Sequence, residues 1–211
     1  MHPVTKPTYS LPQFLRAVAG VARRSPLVAQ VYLLHRLPPD LRERIWVAVS
    51  AANECRHCSF IHQHWAAKVG VPVDEIRALA RAQLTHEERR IDAAVDYALA
   101  WLHAGFGPLS ESAERDLAAY YSRPQRAQLR TVARFATLAN LTGNTYDAFL
   151  ERLRGRPAEA GRAIDEAVIS AIFVVAAAAV VGAVVLAERK SPLRVLREFR
   201  VFSRGFAQER V

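Results

Sequence analysis

Lysine is nearly missing from this chain. Of 29 basic side chains only three are Lys, so Arg supplies almost all of the formal charge of +9. That balance permits contact with nucleic acid or anionic lipid. The Arg is spread along the whole chain, however, and no zinc-finger or RNA-recognition strand motif accompanies it, so no nucleic-acid partner is expected. Strand punctuation is missing too. There is no sustained alternation and no Asn-Gly or Asp-Gly between β-branched runs, which excludes a sandwich or barrel. Cysteine is limited to two residues, which excludes a disulfide-stapled secreted scaffold. Nine Gly and eleven Pro beside 51% hydrophobic residues leave ample material for a core and exclude wholesale disorder. The opening "MHPVTKPTYSLPQFLRAVAG" lacks an apolar run of signal-peptide type, so the first 165 residues read as cytoplasmic.

What is present is helical almost throughout. Residues 12–23 form a short candidate helix. In "RLPPDLRERIWVAVSAAN", Pro38 and Pro39 end what precedes, Asp40 is placed to cap, and Glu43 stands three residues on to complete a capping box. The next segment runs to about Val69, where Gly70 and Pro72 stop it. Further helices start at Pro72 and Asp74, at Thr85 with Glu88 in the box position, and over "SESAERDLAAYYS" and residues 123–153. Short connections between them suit packed antiparallel helices.

Both cysteines fall in "NECRHCSFIHQHW", residues 53–65, with three histidines. On a helix, Cys55 and Cys58 are i, i+3 neighbours, and Cys58 and His62 are i, i+4. One face then carries thiol, thiol and imidazole. The thiolate is the nucleophilic form, and a helix N-terminus or an imidazole favours it. Asn53 as N-cap would put Cys55 in the first turn, within reach of the helix dipole. In one unbroken helix Glu43 and Cys58 would lie about 22 Å apart. A break near Ala52–Asn53 would instead let the Glu43 carboxylate reach His62. A carboxylate–imidazole–thiol relay would result, so the break is a requirement of the chemistry.

The pattern Glu43, eleven residues, Cys55-Arg56-His57-Cys58, three residues, His62 resembles the AhpD-like alkylhydroperoxidases of the carboxymuconolactone decarboxylase superfamily. "ERIWVAVSAANECRHCSFIHQHWAAKVGVP" is similar to that family too, and so, more distantly, is "FATLANLTGNTYDAF". The resemblance covers about residues 10–153. It implies an all-α helical bundle, oligomers such as trimers or their multiples, and peroxide reduction by a CXXC pair without metal or haem. By position it makes Cys58 the peroxidatic nucleophile and Cys55 the more exposed partner that resolves its sulfenic acid. Glu43 and His62 would form the proton relay, with His57 assisting, and an external dithiol would reduce the disulfide.

Other readings of the same residues stay open. The two thiols could be plain core residues. C-x2-C-x3-H with His57 or His64 could hold zinc, making the chain a redox-sensing or zinc-binding assembly module. A decarboxylase-like lyase of the same superfamily would need neither thiol. Glu43 could serve only its capping box, a role that competes with the relay. His35, His86 and His103 are isolated and are assigned no chemistry, and Trp46, Trp65 and Trp101 read as core or interface.

Composition changes near residue 155. The organisation read from it is an AhpD-like domain over 1–155, a linker over 156–167, an apolar helix over 168–187 and a basic amphipathic tail over 188–211. Residues 168–187 carry no charge, and eleven Val, Ile, Leu and Phe side chains favour bilayer insertion by about 3 to 7 kcal/mol. After them, Val195, Leu196, Phe199, Phe202 and Phe206 share one helical arc, and Arg194, Arg197, Arg200 and Arg204 the opposite one. Membrane contact through residues 168–206 is expected, with the domain on the cytoplasmic side. The competing possibility is a soluble helix pair that packs across an oligomer interface. The charge flanks are at odds with the first of these: seven Lys/Arg follow the span and four Arg precede it, which would send the tail, not the domain, to the cytoplasm.

Overall fold

The computed structural model describes residues 6–81, 89–158 and 161–208. Among these residues there are ten helices and no strand. They are α1 (Leu11–Ala22), α2 (Ser25–Tyr32), α3 (Pro39–Ala52), α4 (Arg56–Lys68), α5 (Val73–Ala80), α6 (Arg89–His103), α7 (Glu111–Ala118), α8 (Arg123–Leu153), α9 (Ala163–Glu188) and α10 (Pro192–Gln208). The all-α expectation holds, and the apolar C-terminal helix is there. The expected cap at Thr85 and Glu88 lies outside the described residues. α2 was not foreseen: it is eight residues long, begins with Pro26 in its first turn and has no side-chain cap.

The chain forms two compact units, residues Leu15–Asn140 and residues Met1–Phe14 with Leu141–Val211, and α8 divides between them. In the first unit α3 is the central element and packs against α4, α5 and α6. Leu41 and every residue from Glu43 through Ala51 are buried, including the charged Glu43 and Arg44. A helix buried all round has no polar face, so the few polar groups it carries need dedicated partners. Arg44 finds two: its Nη1 donates to Asp40 at 2.6 Å, and its Nε and Nη2 grip Glu75 of α5 at 2.6 and 3.0 Å. The surrounding core runs through Ile45, Val49, Val95, Trp101, Leu129 and Val132.

In the second unit Arg152 grips Glu166 with Nε at 2.6 Å and Nη2 at 2.9 Å, and Nη2 also donates to the Gly161 carbonyl at 2.8 Å. Tyr9 N–H donates to Thr145 Oγ1 at 2.9 Å, and Asn144 Nδ2 to the Pro7 carbonyl at 3.1 Å. α9 begins five residues before the uncharged run and is long and apolar enough to cross a membrane, with mean hydropathy 2.8 over its most apolar window and only 17% of that window buried. α10 packs beside it.

Candidate active site

The site begins with a helix ending. α3 stops at Ala52, Asn53 caps it, and Glu54 takes the left-handed conformation at φ 56°. The Glu54 amide donates to Ala51 O at 3.1 Å and the Cys55 amide reaches back to Ser50 O at 3.0 Å. That pair of bonds is the Schellman closure. Glycine normally fills its left-handed position, as Gly70 does after α4 and Gly105 after α6. Here a glutamate fills it at a cost of about 1 to 2 kcal/mol. Ser50 adds a tie of its own, its hydroxyl donating to Asn140 Oδ1 of α8 at 3.1 Å.

Cys55 thus ends one helix and starts the next. It is the N-cap of α4, with its Sγ accepting the Cys58 amide N–H at 3.3 Å. Two expectations are corrected here. Asn53 is not the N-cap of the cysteine helix, because the Schellman closure keeps Asn53 in α3 and moves the cap two residues on. And Cys55 is not the more exposed thiol: it is fully buried, whereas Cys58 in the first turn is half-exposed. The expected capping box on α3 is absent as well. Pro38 is the N-cap without a side-chain bond, and Asp40 is committed to Arg44.

The reversal sets α4 against α3, and Glu43 meets His62. Glu43 is 1% exposed, and its Oε2 lies 2.6 Å from His62 Nδ1. Its other oxygen accepts from Arg42 Nε at 3.0 Å. A buried carboxylate so close to Nδ1 fixes that nitrogen as the N–H and leaves Nε2 as the free base. Burial pushes the His62 pKa below the ordinary histidine value, a pull that outweighs the upward effect of Glu43 and is reinforced by the Arg42 charge. The imidazole is therefore neutral at neutral pH, the state that accepts a proton. It shares the helix face of Cys58, four residues before it.

Aromatic rings hold the imidazole. Trp46 stacks on it, centroids 3.8 Å apart and planes 8° from parallel, and Trp65 meets it edge-on at 5.5 Å. Trp46 Nε1 donates to the Tyr32 hydroxyl at 2.8 Å, and burial keeps that phenol neutral by raising its pKa. Arg42 lies over the Tyr32 ring at 5.0 Å. These supports were not anticipated in their role. The signal for Trp46 was available, since it follows Glu43 by three residues on one helix face. Tyr32 and Arg42 carried no such signal. His57 is half-exposed and lies about 140° around the helix from His62, so it faces away from the Glu43 pair. Among the described residues no three His, Cys, Asp or Glu side chains are grouped so as to hold a metal ion.

Residues 25–103 match the family model described as the Carboxymuconolactone decarboxylase family. Over that stretch the chain is similar to the carboxymuconolactone decarboxylase family. The matched residues run from α2 to the end of α6 and contain Glu43, both cysteines and His62. A comparison with curated proteins finds no match.

Proposed function

We propose that the chain is a thiol-dependent peroxidase, or thiol–disulfide oxidoreductase, of the AhpD-like type. The observation that carries this reading is the 2.6 Å contact between the buried Glu43 carboxylate and His62 Nδ1, on the helix that bears Cys58. In the proposed reaction His62 Nε2 takes the Cys58 thiol proton. The thiolate attacks the peroxide, the O–O bond breaks, and the alcohol or water leaves with the proton from His62. Cys58 becomes a sulfenic acid. The Cys55 sulfur displaces its hydroxyl, releasing water and forming the Cys55–Cys58 disulfide. An external dithiol then supplies two electrons and two protons to regenerate the thiols.

The burial pattern orders the last step. Cys58 is the sulfur a donor can reach, and Cys55 is the better leaving group. It stands at the N-cap of α4, where the Cys58 N–H it accepts at 3.3 Å meets the departing sulfur. The donor therefore attacks Cys58 and expels Cys55. In the test, the reduced chain is mixed with hydrogen peroxide and a dithiol. Cys58→Ser abolishes peroxide consumption. Activity that survives loss of both thiols would favour a lyase, and stoichiometric zinc in protein purified under reducing conditions would favour an assembly module.

The proposal extends to place. The length, hydropathy and low burial of α9 support its use as a membrane tether, with the thiol domain in the reducing cytoplasm and a second or third copy of the chain as partner. Retention of a chain lacking residues 163–211 in the membrane fraction would contradict the tether.

A further inference from the structure

We propose that α10 binds the anionic headgroups of a phospholipid surface through an arginine face that it turns outward. The apolar arc of this helix is used inside the chain. Val195 is 2% exposed, Phe199, Phe202 and Phe206 are half-buried, and the rings of Phe202 and Phe206 lie 5.7 Å apart. The outward side holds Arg194, Arg197, Arg200 and Arg204, all exposed. The last three fall within about 60° of one another on the helical wheel. Glu198 is the sole acidic residue of α10, and it is occupied by Lys190 Nζ at 3.0 Å and Arg194 Nε at 3.1 Å. Arg197, Arg200 and Arg204 have no carboxylate partner among the described residues.

Three unpaired guanidinium forks in one row match phosphate oxygens, which accept two parallel N–H bonds from each. Two further observations select lipid among phosphate bearers. Leu193 at 77%, Leu196 at 50% and Val201 at 67% exposure stand among the arginines, where a headgroup layer would cover them and water does not. A three-residue link, residues 189–191 with Arg189 left-handed at φ 52°, joins α10 to α9, the helix apolar enough to cross a bilayer. The arginine row thus begins where an apolar helix ends, at the depth of the headgroups.

The test uses the full chain and co-sedimentation with vesicles of phosphatidylcholine, alone or mixed with phosphatidylglycerol. Three unpaired cations near an anionic surface predict a preference for the mixed vesicles of about 100-fold at low salt, shrinking at high salt. The fourfold variant R194Q/R197Q/R200Q/R204Q loses that preference yet binds neutral vesicles like the wild type, and the corresponding Arg→Lys set keeps most of it. R200Q and R204Q singly, too mild to unfold the helix, each reduce it about 5-fold. Equal partitioning of the wild type onto both vesicles would overturn the proposal. So would an unchanged preference in the fourfold glutamine variant, or release from mixed vesicles by an RNA oligonucleotide at equal phosphate concentration.

Discussion

Replacing Glu43 by Gln removes one charge from a site that depends on it. The carboxylate makes a 2.6 Å bond to His62 Nδ1 and a 3.0 Å bond to Arg42 Nε, and it is all but inaccessible to water. A hydrogen bond to a buried charged group contributes about 2 to 3 kcal/mol. If that is the energy orienting the imidazole, its loss slows Cys58 oxidation by about 30- to 150-fold at 1.36 kcal/mol per decade. The pH profile moves too, and its sign is fixed. Glu43 pulls the His62 pKa upward against the larger downward effect of burial. Without the charge only the downward effects remain, so the acid limb of the rate profile shifts to lower pH while its plateau drops. The assay is single-turnover oxidation of the reduced chain by hydrogen peroxide, followed across pH. A plateau within about twofold of wild type, or an acid limb displaced upward, would refute the relay.

Other outcomes follow from the same geometry. Cys55→Ser leaves Cys58 as a sulfenic acid that a dimedone probe captures after one turnover, whereas Cys58→Ser captures none. In the wild type, a donor thiol trapped in mixed disulfide maps by peptide mass spectrometry to Cys58, the half-exposed sulfur, and not to the buried Cys55. His62 is buried with its pKa below the ordinary histidine value, so the unfolded chain binds the extra proton first and stability falls as pH drops from about 6.5 toward the lowered folded value. Chemical denaturation at stepped pH measures that slope, and His62→Gln removes it. Glu54→Val sets a β-branched residue at φ 56° and lowers stability by about 1 to 2 kcal/mol, while Glu54→Gly keeps the closure and the activity.

Much of the fold was legible because its signals are local. Gly70 and Pro72 stop α4 at Lys68, and the 31-residue α8 matches the span read from its periodicity. The weakly patterned α2 was not legible: eight residues, no cap and few contrasts between its faces leave no periodicity to read. The break between α3 and α4 was inferred from a chemical requirement and falls at Ala52–Asn53 as expected, but the cap of the helix that follows lies two residues further on, at Cys55. A Schellman closure normally announces itself by glycine, and Glu54 hides it. The Glu43–His62 pair was legible as a spacing, but the order of exposure of the two thiols was not. That order depends on Cys55 acting as the cap of α4 within a packed unit, which no spacing encodes. Trp46 was visible only as a core or interface residue, because the partner it stacks on lies across the reversal. In α10 the arginine arc was readable, but not which arc faces out: Leu196, grouped with the phenylalanines on the wheel, stands exposed among the arginines.

In the proposed reaction His62, held by Glu43, makes Cys58 a fast peroxide nucleophile. The direct measurement is the second-order rate of hydrogen peroxide with the fully reduced chain, with mass spectrometry of the product. The expected rate is well above that of free cysteine at the same pH, with one Cys55–Cys58 disulfide formed per peroxide consumed. A rate no greater than that of free cysteine, or equal rates in wild type and Cys58→Ser, would contradict it.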